Sequence, residues 1–253
     1  MKTKDWKTIK TAEEIELIRN SSRLVAETLR LVGSMIKPGV KTIELDRAAD
    51  EFIRSKDAIP SFKGYRGFPA SICTSVNSEV VHGIPGNRVL AEGDIISIDV
   101  GALKDGYHGD GAATFPVGKI DDDTQNLLDI TRNALMAGIG AAKNGNRVRD
   151  ISRAIQTMVE EAGFSVVTDL VGHGIGQQMH EDPQVPNFVV PGDSPLLASG
   201  MTLAIEPMVN VGTGEVTIKG DGWTVVTKDN TLSAHFEHTV VIGPDGADIL
   251  TTT

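Results

Sequence analysis

A chain of 253 residues with 40% apolar and 23% charged side chains is long and apolar enough to bury a sizeable core. Its formal charge of −10 argues against unspecific nucleic-acid binding, which needs basic surface. No apolar run approaches the ~20 residues of a membrane span, and the single cysteine, Cys73, excludes an internal disulfide and a cysteine-built zinc module.

The first residues, Met1 to Trp6, lack the apolar core of a signal peptide, so a cytoplasmic protein is expected. Thr11-Ala12-Glu13-Glu14 has the form of a capping box. Ile15, Ile18, Val25, Leu29 and Val32 then recur at helical spacing until Lys37-Pro38-Gly39 ends the helix. A second helix starts at Thr42, with Leu45, Ala49, Phe52 and Ile53 on one face. Tyr65 to Pro69 reads as a loop and Ser71 to Val76 as a strand. Val80-Val81 is a short apolar run, and His82-Gly83-Ile84-Pro85-Gly86 turns the chain.

Next comes a run of β formers, Ile95 to Ile98, ending on Asp99. Asp105-Gly106 is a two-residue hairpin signal. With that loop, Lys104 faces Tyr107 and Asp99 faces Ala112, so Asp110 becomes the diagonal neighbour of Asp99 on the same face. Diagonal pairs sit roughly 7–8 Å apart at Cα. Two carboxylates this close repel, and something positive is expected between them.

The pattern then repeats. A helical stretch from about Thr124 to Ala142 ends in Lys143-Asn144-Gly145, as the first ended in Lys37-Pro38-Gly39. Arg147 to Ile151 parallels Lys41 to Leu45, and Gly200 to Glu206 parallels Gly93 to Asp99, at offsets of 106 and 107. Two matching halves imply duplication of a helix–helix–sheet unit. An acid ends the matched strand in each half, which would bring Asp99 and Glu206 together.

Between these parallels lies Val171-Gly172-His173-Gly174-Ile175-Gly176, followed by Met179-His180-Glu181-Asp182-Pro183. The dinucleotide spacing is absent and no P-loop lysine follows. The glycines let the backbone pass close to something. Glu237 opens an apolar run to Ile242, while His108, His235 and His238 have no distinguishing spacing and read as structural or peripheral. Asp99, Asp110, Glu206 and Glu237 thus sit in or beside apolar β runs, where an unpaired carboxylate is costly. Four carboxylates and an imidazole suit a pair of divalent ions such as Mn, Fe, Co or Zn. Bridging carboxylates would hold these about 3.5–4 Å apart, as in hydrolytic two-metal sites.

Six motifs in order resemble methionine aminopeptidase: His82-Gly-Ile-Pro, Ile98-Asp99-Val100, His108-Gly109-Asp110, Gly172 to Gly176 with His180 to Pro183, Ile205 to Met208, and Phe236 to Thr239. The resemblance runs from about Thr11 to Thr251 and is to the bacterial type I form. The helical insertion of type II and the cysteine-rich extension of the eukaryotic type I enzymes are both missing. It departs at His235, where glutamine is common, and at Gly111, where a hydroxyl residue is frequent. It implies the pita-bread fold, an α/β (α+β) arrangement of two pseudo-symmetric halves with antiparallel sheet backed by helices, as one catalytic metallopeptidase domain over residues 1–253.

By the same resemblance Asp99, Asp110, His173, Glu206 and Glu237 are the ligands of two divalent ions, with Asp110 and Glu237 bridging. His82 and His180 contact the substrate, and Glu206 also shuttles protons. Tyr65, Phe68, Cys73, Met179 and Trp223 line the pocket for the first side chain, although each aromatic taken singly reads as ordinary core. The implied reaction is hydrolytic removal of N-terminal methionine from peptides and nascent chains by metal-activated water, with a small second residue preferred. A monomer with possible ribosome association follows from the same likeness. Two other readings stay open. An aminopeptidase P or prolidase-like enzyme usually carries an extra N-terminal domain, for which the residues before Thr11 leave no room. A noncatalytic ribosome-associated protein of this fold would have lost metal ligands, and all five are present.

Overall fold

Thr11 starts the first helix as its sequence predicts. Its hydroxyl accepts from the Glu14 N–H at 3.2 Å, and the Glu14 carboxylate accepts from the Thr11 N–H at 2.8 Å. The computed structural model describes residues 9–252, so the expectation for Met1 to Trp6 lies outside them. In chain order the elements are α1 (Ala12–Met35), α2 (Thr42–Ser55), β1 (Ile59–Pro60), β2 (Ile72–Val76), β3 (Glu79–Val81), β4 (Ile95–Lys104), β5 (Tyr107–Pro116), α3 (Asp122–Ala141) and α4 (Val148–Glu161). The second half continues with β6 (Ser165–Val166), β7 (Val171–Gly174), β8 (Glu181–Pro186), β9 (Thr202–Ile205), β10 (Met208–Asn210), β11 (Val216–Ile218), β12 (Val225–Thr227), β13 (Ser233–His235), β14 (Glu237–Ile242) and β15 (Ala247–Ile249).

The duplication inferred from sequence is visible in backbone detail. Glu44 accepts from the Lys41 N–H at the start of α2, and Asp150 accepts from the Arg147 N–H at the start of α4. Lys41 bridges to Val89, and Arg147 bridges to Leu196. Gly39 and Gly145 both turn the chain with φ near +90°, at 92° and 89°.

The main sheet has nine strands in the order β1-β4-β5-β14-β9-β7-β8, with β2 added on β4 and β15 on β14. The pairs along it are antiparallel. On its first half, Leu24, Val25, Val32, Leu45 and Ile53 of α1 and α2 pack against Ile96, Ile98 and Val100. On the second, Leu127, Leu135, Ile151 and Ile155 of α3 and α4 pack against Leu203, Ile205 and Val240. Each such buried side chain stabilises the fold by about 1.5–3 kcal/mol relative to exposure. The helices lie very close to the sheet at Gly109, where an added Cβ would stand 2.5 Å from the Ser22 backbone nitrogen.

Several boundaries differ from expectation. The helix assigned to about Thr124 begins at Asp122, because Asp121 is the cap and accepts from the Thr124 N–H at 2.7 Å. Within the expected loop, Tyr65–Gly67 form a 3₁₀ turn. The first acid does not end its strand: β4 runs on to Lys104 because the hairpin pairs it with β5 throughout. Glu206 does lie just beyond β9.

Candidate metal and peptide site

The hairpin register is as read from Asp105-Gly106, with Lys104 opposite Tyr107 and Asp99 opposite Ala112. On its other side β5 pairs with β14, so Glu237 also faces Ala112. β14 then pairs with β9, placing His238 opposite Ile205. One residue beyond that pair stand Glu237 and Glu206. His173 on β7 faces Ala204 of β9. Strand periodicity turns Asp99, Asp110, Glu206 and Glu237 to one face of the sheet, and β7 brings the imidazole to meet them. Asp110, His173 and Glu237 each offer a ligand atom within 4.8 Å of the other two.

β7 lies so close to its neighbours that a Cβ at Gly172 would stand 2.4 Å from the Ala204 carbonyl oxygen. This is the close backbone passage that the glycines around His173 led one to expect. His82 sits in a left-handed conformation at φ 59°, a sparsely populated state for a residue with a side chain. It is held by a turn in which Thr74 donates to the Gly83 carbonyl at 2.8 Å and Gly83 donates to the Ser75 hydroxyl at 3.1 Å.

The electrostatics of the acids call for a cation. No lysine or arginine pairs with Asp99, Asp110, Glu206 or Glu237 among the described residues, and the buried Asp99 Oδ1 and Glu237 Oε1 have no hydrogen-bond partner. Burial pushes Asp99 up to about 7. Burial and then the neighbouring carboxylates also raise Asp110, Glu206 and Glu237 well above the carboxylate range. His173 shows the matching preparation. Its Nδ1 lies 2.9 Å from the Gly174 carbonyl oxygen, which must accept, so the Nδ1–H tautomer leaves the Nε2 lone pair facing the acids. Burial, outweighing the Gly174 bond, lowers its pKa to about 4 and keeps it neutral. Hard oxygen donors with one neutral imidazole fit a divalent ion.

Beside the acids, Phe62, Phe68, Ala70, Cys73 and Met179 form a buried cluster with Tyr65, Ile84 and Trp223 packed on it. The Phe68 and Trp223 rings meet edge to face at 5.2 Å. This cluster and the acids share one pocket of about 170 Å³. Its lining includes each residue singled out from sequence: Tyr65, Phe68, Cys73, His82, Asp99, Asp110, His173, Met179, His180, Glu206, Trp223 and Glu237. The His180 ring lies 4.3 Å from the His173 ring, tilted by 51°, and its Nδ1 is 2.9 Å from the Tyr65 hydroxyl.

Two lining residues were missed, Phe62 and Arg66. Phe62 precedes Tyr65 by one turn, the available signal, whereas nothing local marked Arg66. A third residue needs correction. His235, read as structural or peripheral, is buried with Nε2 3.9 Å from Glu206 Oε2. Its position two residues before Glu237 was the hint. By contrast His108 bonds Ser61 at 2.8 Å and His238 bonds Thr251 at 2.7 Å, as structural histidines do.

Comparison with known proteins agrees with this geometry. The family model for metallopeptidase family M24 matches residues 16–244. Methionine aminopeptidase 1 of Bacillus subtilis is 55% identical over 242 residues, covering 96% of this chain and 98% of that protein. The crystal structure of methionine aminopeptidase from Rickettsia prowazekii superposes with a TM-score of 0.95 at 41% identity, covering 97% and 99% of the two chains. Prolidase from Pyrococcus furiosus superposes at 0.80 with 24% identity and is covered over only 67% of its length, a likeness of fold alone. The two helix-backed halves are therefore those of the pita-bread fold. The chain belongs to metallopeptidase family M24, among its methionine aminopeptidases.

Proposed function

We propose that this protein removes N-terminal methionine from peptides and nascent chains, using Asp99, Asp110, His173, Glu206 and Glu237 to hold two divalent ions. The observation that carries the reading is the shared pocket: an uncompensated acidic face with one neutral imidazole, against a wall of sulfur and aromatic side chains. Divalent ions there would supply Lewis acidity and a nucleophilic water near neutral pH. Asp110 and Glu237, the most buried acids of the set, would hold the ions together with Asp99, His173 and Glu206.

The chain's own residues do the rest. The free α-amine of a chain end, in its neutral form, would be held at the loaded site, which favours terminal over internal peptide bonds. His82 and His180 are both held neutral, chiefly by burial, His180 at about 3. With Tyr65 as donor to His180 Nδ1, the proton of His180 sits on Nε2, free to donate to the scissile carbonyl oxygen as charge develops. Glu206, which lies among these groups, would hold the proton taken from water and pass it to the leaving amine. Phe68, Cys73, Met179 and Trp223 exclude water around the first side chain. The whole chain acts as one catalytic unit, and a monomer in the reducing cytoplasm, meeting nascent chains at the ribosome, completes the reading. The test is release of methionine from Met-Ala-Ser by metal-loaded protein, with N-acetyl-Met-Ala-Ser as control. Equal cleavage of both peptides, or of neither, would overturn it.

A further inference from the structure

His235 is 1% exposed, and neither of its ring nitrogens has a hydrogen-bond partner among the described residues. Leaving a buried polar group unpaired is costly, so an apolar side chain would serve packing better. Its backbone is clamped on both sides by Thr114, whose hydroxyl donates to the His235 carbonyl at 2.8 Å and accepts from its N–H at 2.9 Å. The ring is therefore aimed from a fixed base. Its Nε2 lies 3.9 Å from Glu206 Oε2, while His173 Nε2 lies 3.5 Å from Glu206 Oε1. Two imidazoles thus bracket one carboxylate, whose backbone carbonyl accepts from Asn187 at 3.0 Å. The His235 gap is longer than a hydrogen bond, and a closure of about an ångström brings it into range.

We propose that His235 is a positioning residue for Glu206, donating from Nε2–H to Oε2 and so setting the rotation of the carboxylate. The inference rests on Glu206 being both a metal-holding and a proton-carrying group. A neutral imidazole suffices, since one N–H is all the contact requires. With Oε2 engaged from behind, Oε1 is left toward His173 and the pocket. A freely rotating carboxylate would hold an ion less well and present its proton in more than one direction.

The test compares His235→Phe, which keeps a ring and loses both nitrogens, with His235→Gln, which restores an N–H donor. Mn²⁺ affinity of stripped protein is read by calorimetry, and kcat and KM are read on Met-Ala-Ser. The expected result is a loss of about 10–100-fold in Mn²⁺ affinity for His235→Phe, with a fall in kcat and little change in KM. His235→Gln should return both towards wild type. A folded His235→Phe with wild-type affinity and kcat overturns the inference, as does a His235→Gln as impaired as His235→Phe. If His235→Phe does not fold, His235→Leu takes its place with the same two outcomes. Wild-type protein that binds no Mn²⁺ would instead overturn the reading of the acids as a metal site.

Discussion

Asp99 and Glu237 stand on either side of Ala112, each its register partner, on strands from opposite halves of the chain. This places two carboxylates on one sheet face with no basic side chain among the described residues paired to either, and the consequence is a metal- and pH-dependent stability. Burial holds Asp99 at about 7, well above its value of 3.8 in an unfolded chain. Between those limits the metal-free fold keeps a proton that the unfolded chain releases. Its contribution is thus present in acid and lost as pH rises through about 7. Divalent ions bind the ionised form and release that proton. The rise in Tm on adding Mn²⁺ should therefore be larger at pH 7.5 than at pH 5.5, with His173 neutral at both. An equal or smaller rise at pH 7.5 would contradict the assignment. Chelation should abolish hydrolysis, and Mn, Co or Fe should restore it.

Glu206→Gln and Asp110→Asn should both lose most of kcat, for different reasons. The first removes a proton carrier, worth about 10²–10⁴-fold, and weakens one ligand without deleting its oxygen. The second removes a charge from a buried position that is 4% exposed, and Mn²⁺ affinity should fall by at least the ~10–100-fold typical of groups that merely orient ligands. Calorimetry alongside kinetics separates the two. Near-normal turnover by either folded variant would remove it from the reaction.

Cys73 lines the pocket and faces Asp99 across the β2–β4 pair. Burial, then the nearby carboxylates of Asp99, Asp110, Asp46 and Glu237, push its thiol well above the usual range, the reverse of an activated nucleophile. Cys73→Ser should stay within the roughly 10–200-fold that a pocket change is worth. A loss near the ~10⁶-fold of a deleted nucleophile, with metal retained, would make the thiol the attacking group.

The pocket wall predicts the side chain that is cut off. Cys73 and Met179 with Phe68 and Trp223 suit an unbranched thioether, since sulfur gains from aromatic contact. The wall itself is apolar and aromatic, so the end of a long cationic side chain seated against it would be desolvated. Among Met-Ala, norleucine-Ala, Leu-Ala and Lys-Ala, the first two should be cleaved well. Leucine should lose about 1–3 kcal/mol of transition-state binding, and lysine should not be cleaved. Lys-Ala turnover equal to Met-Ala would show that another wall receives the first side chain.

What sequence alone determined about this protein is what local chemistry governs. The capping box at Thr11, the turn at Asp105-Gly106 and the alternation of β4 each draw on neighbours a few residues away. So the helices, the hairpin register and the shared face of Asp99 and Asp110 were all legible in the chain. The repeat at offsets of 106 and 107 extended that legibility across the two halves. Only the tertiary structure decided what meets across long separations. The insertion of β14 between β5 and β9, the closing of Met179 and Trp223 onto Phe68 and Cys73, and the approach of His235 to Glu206 are such meetings. These contacts come from packing two helix-backed halves together, and burial there, rather than any nearby residue, sets the orientation and protonation of the acids and imidazoles.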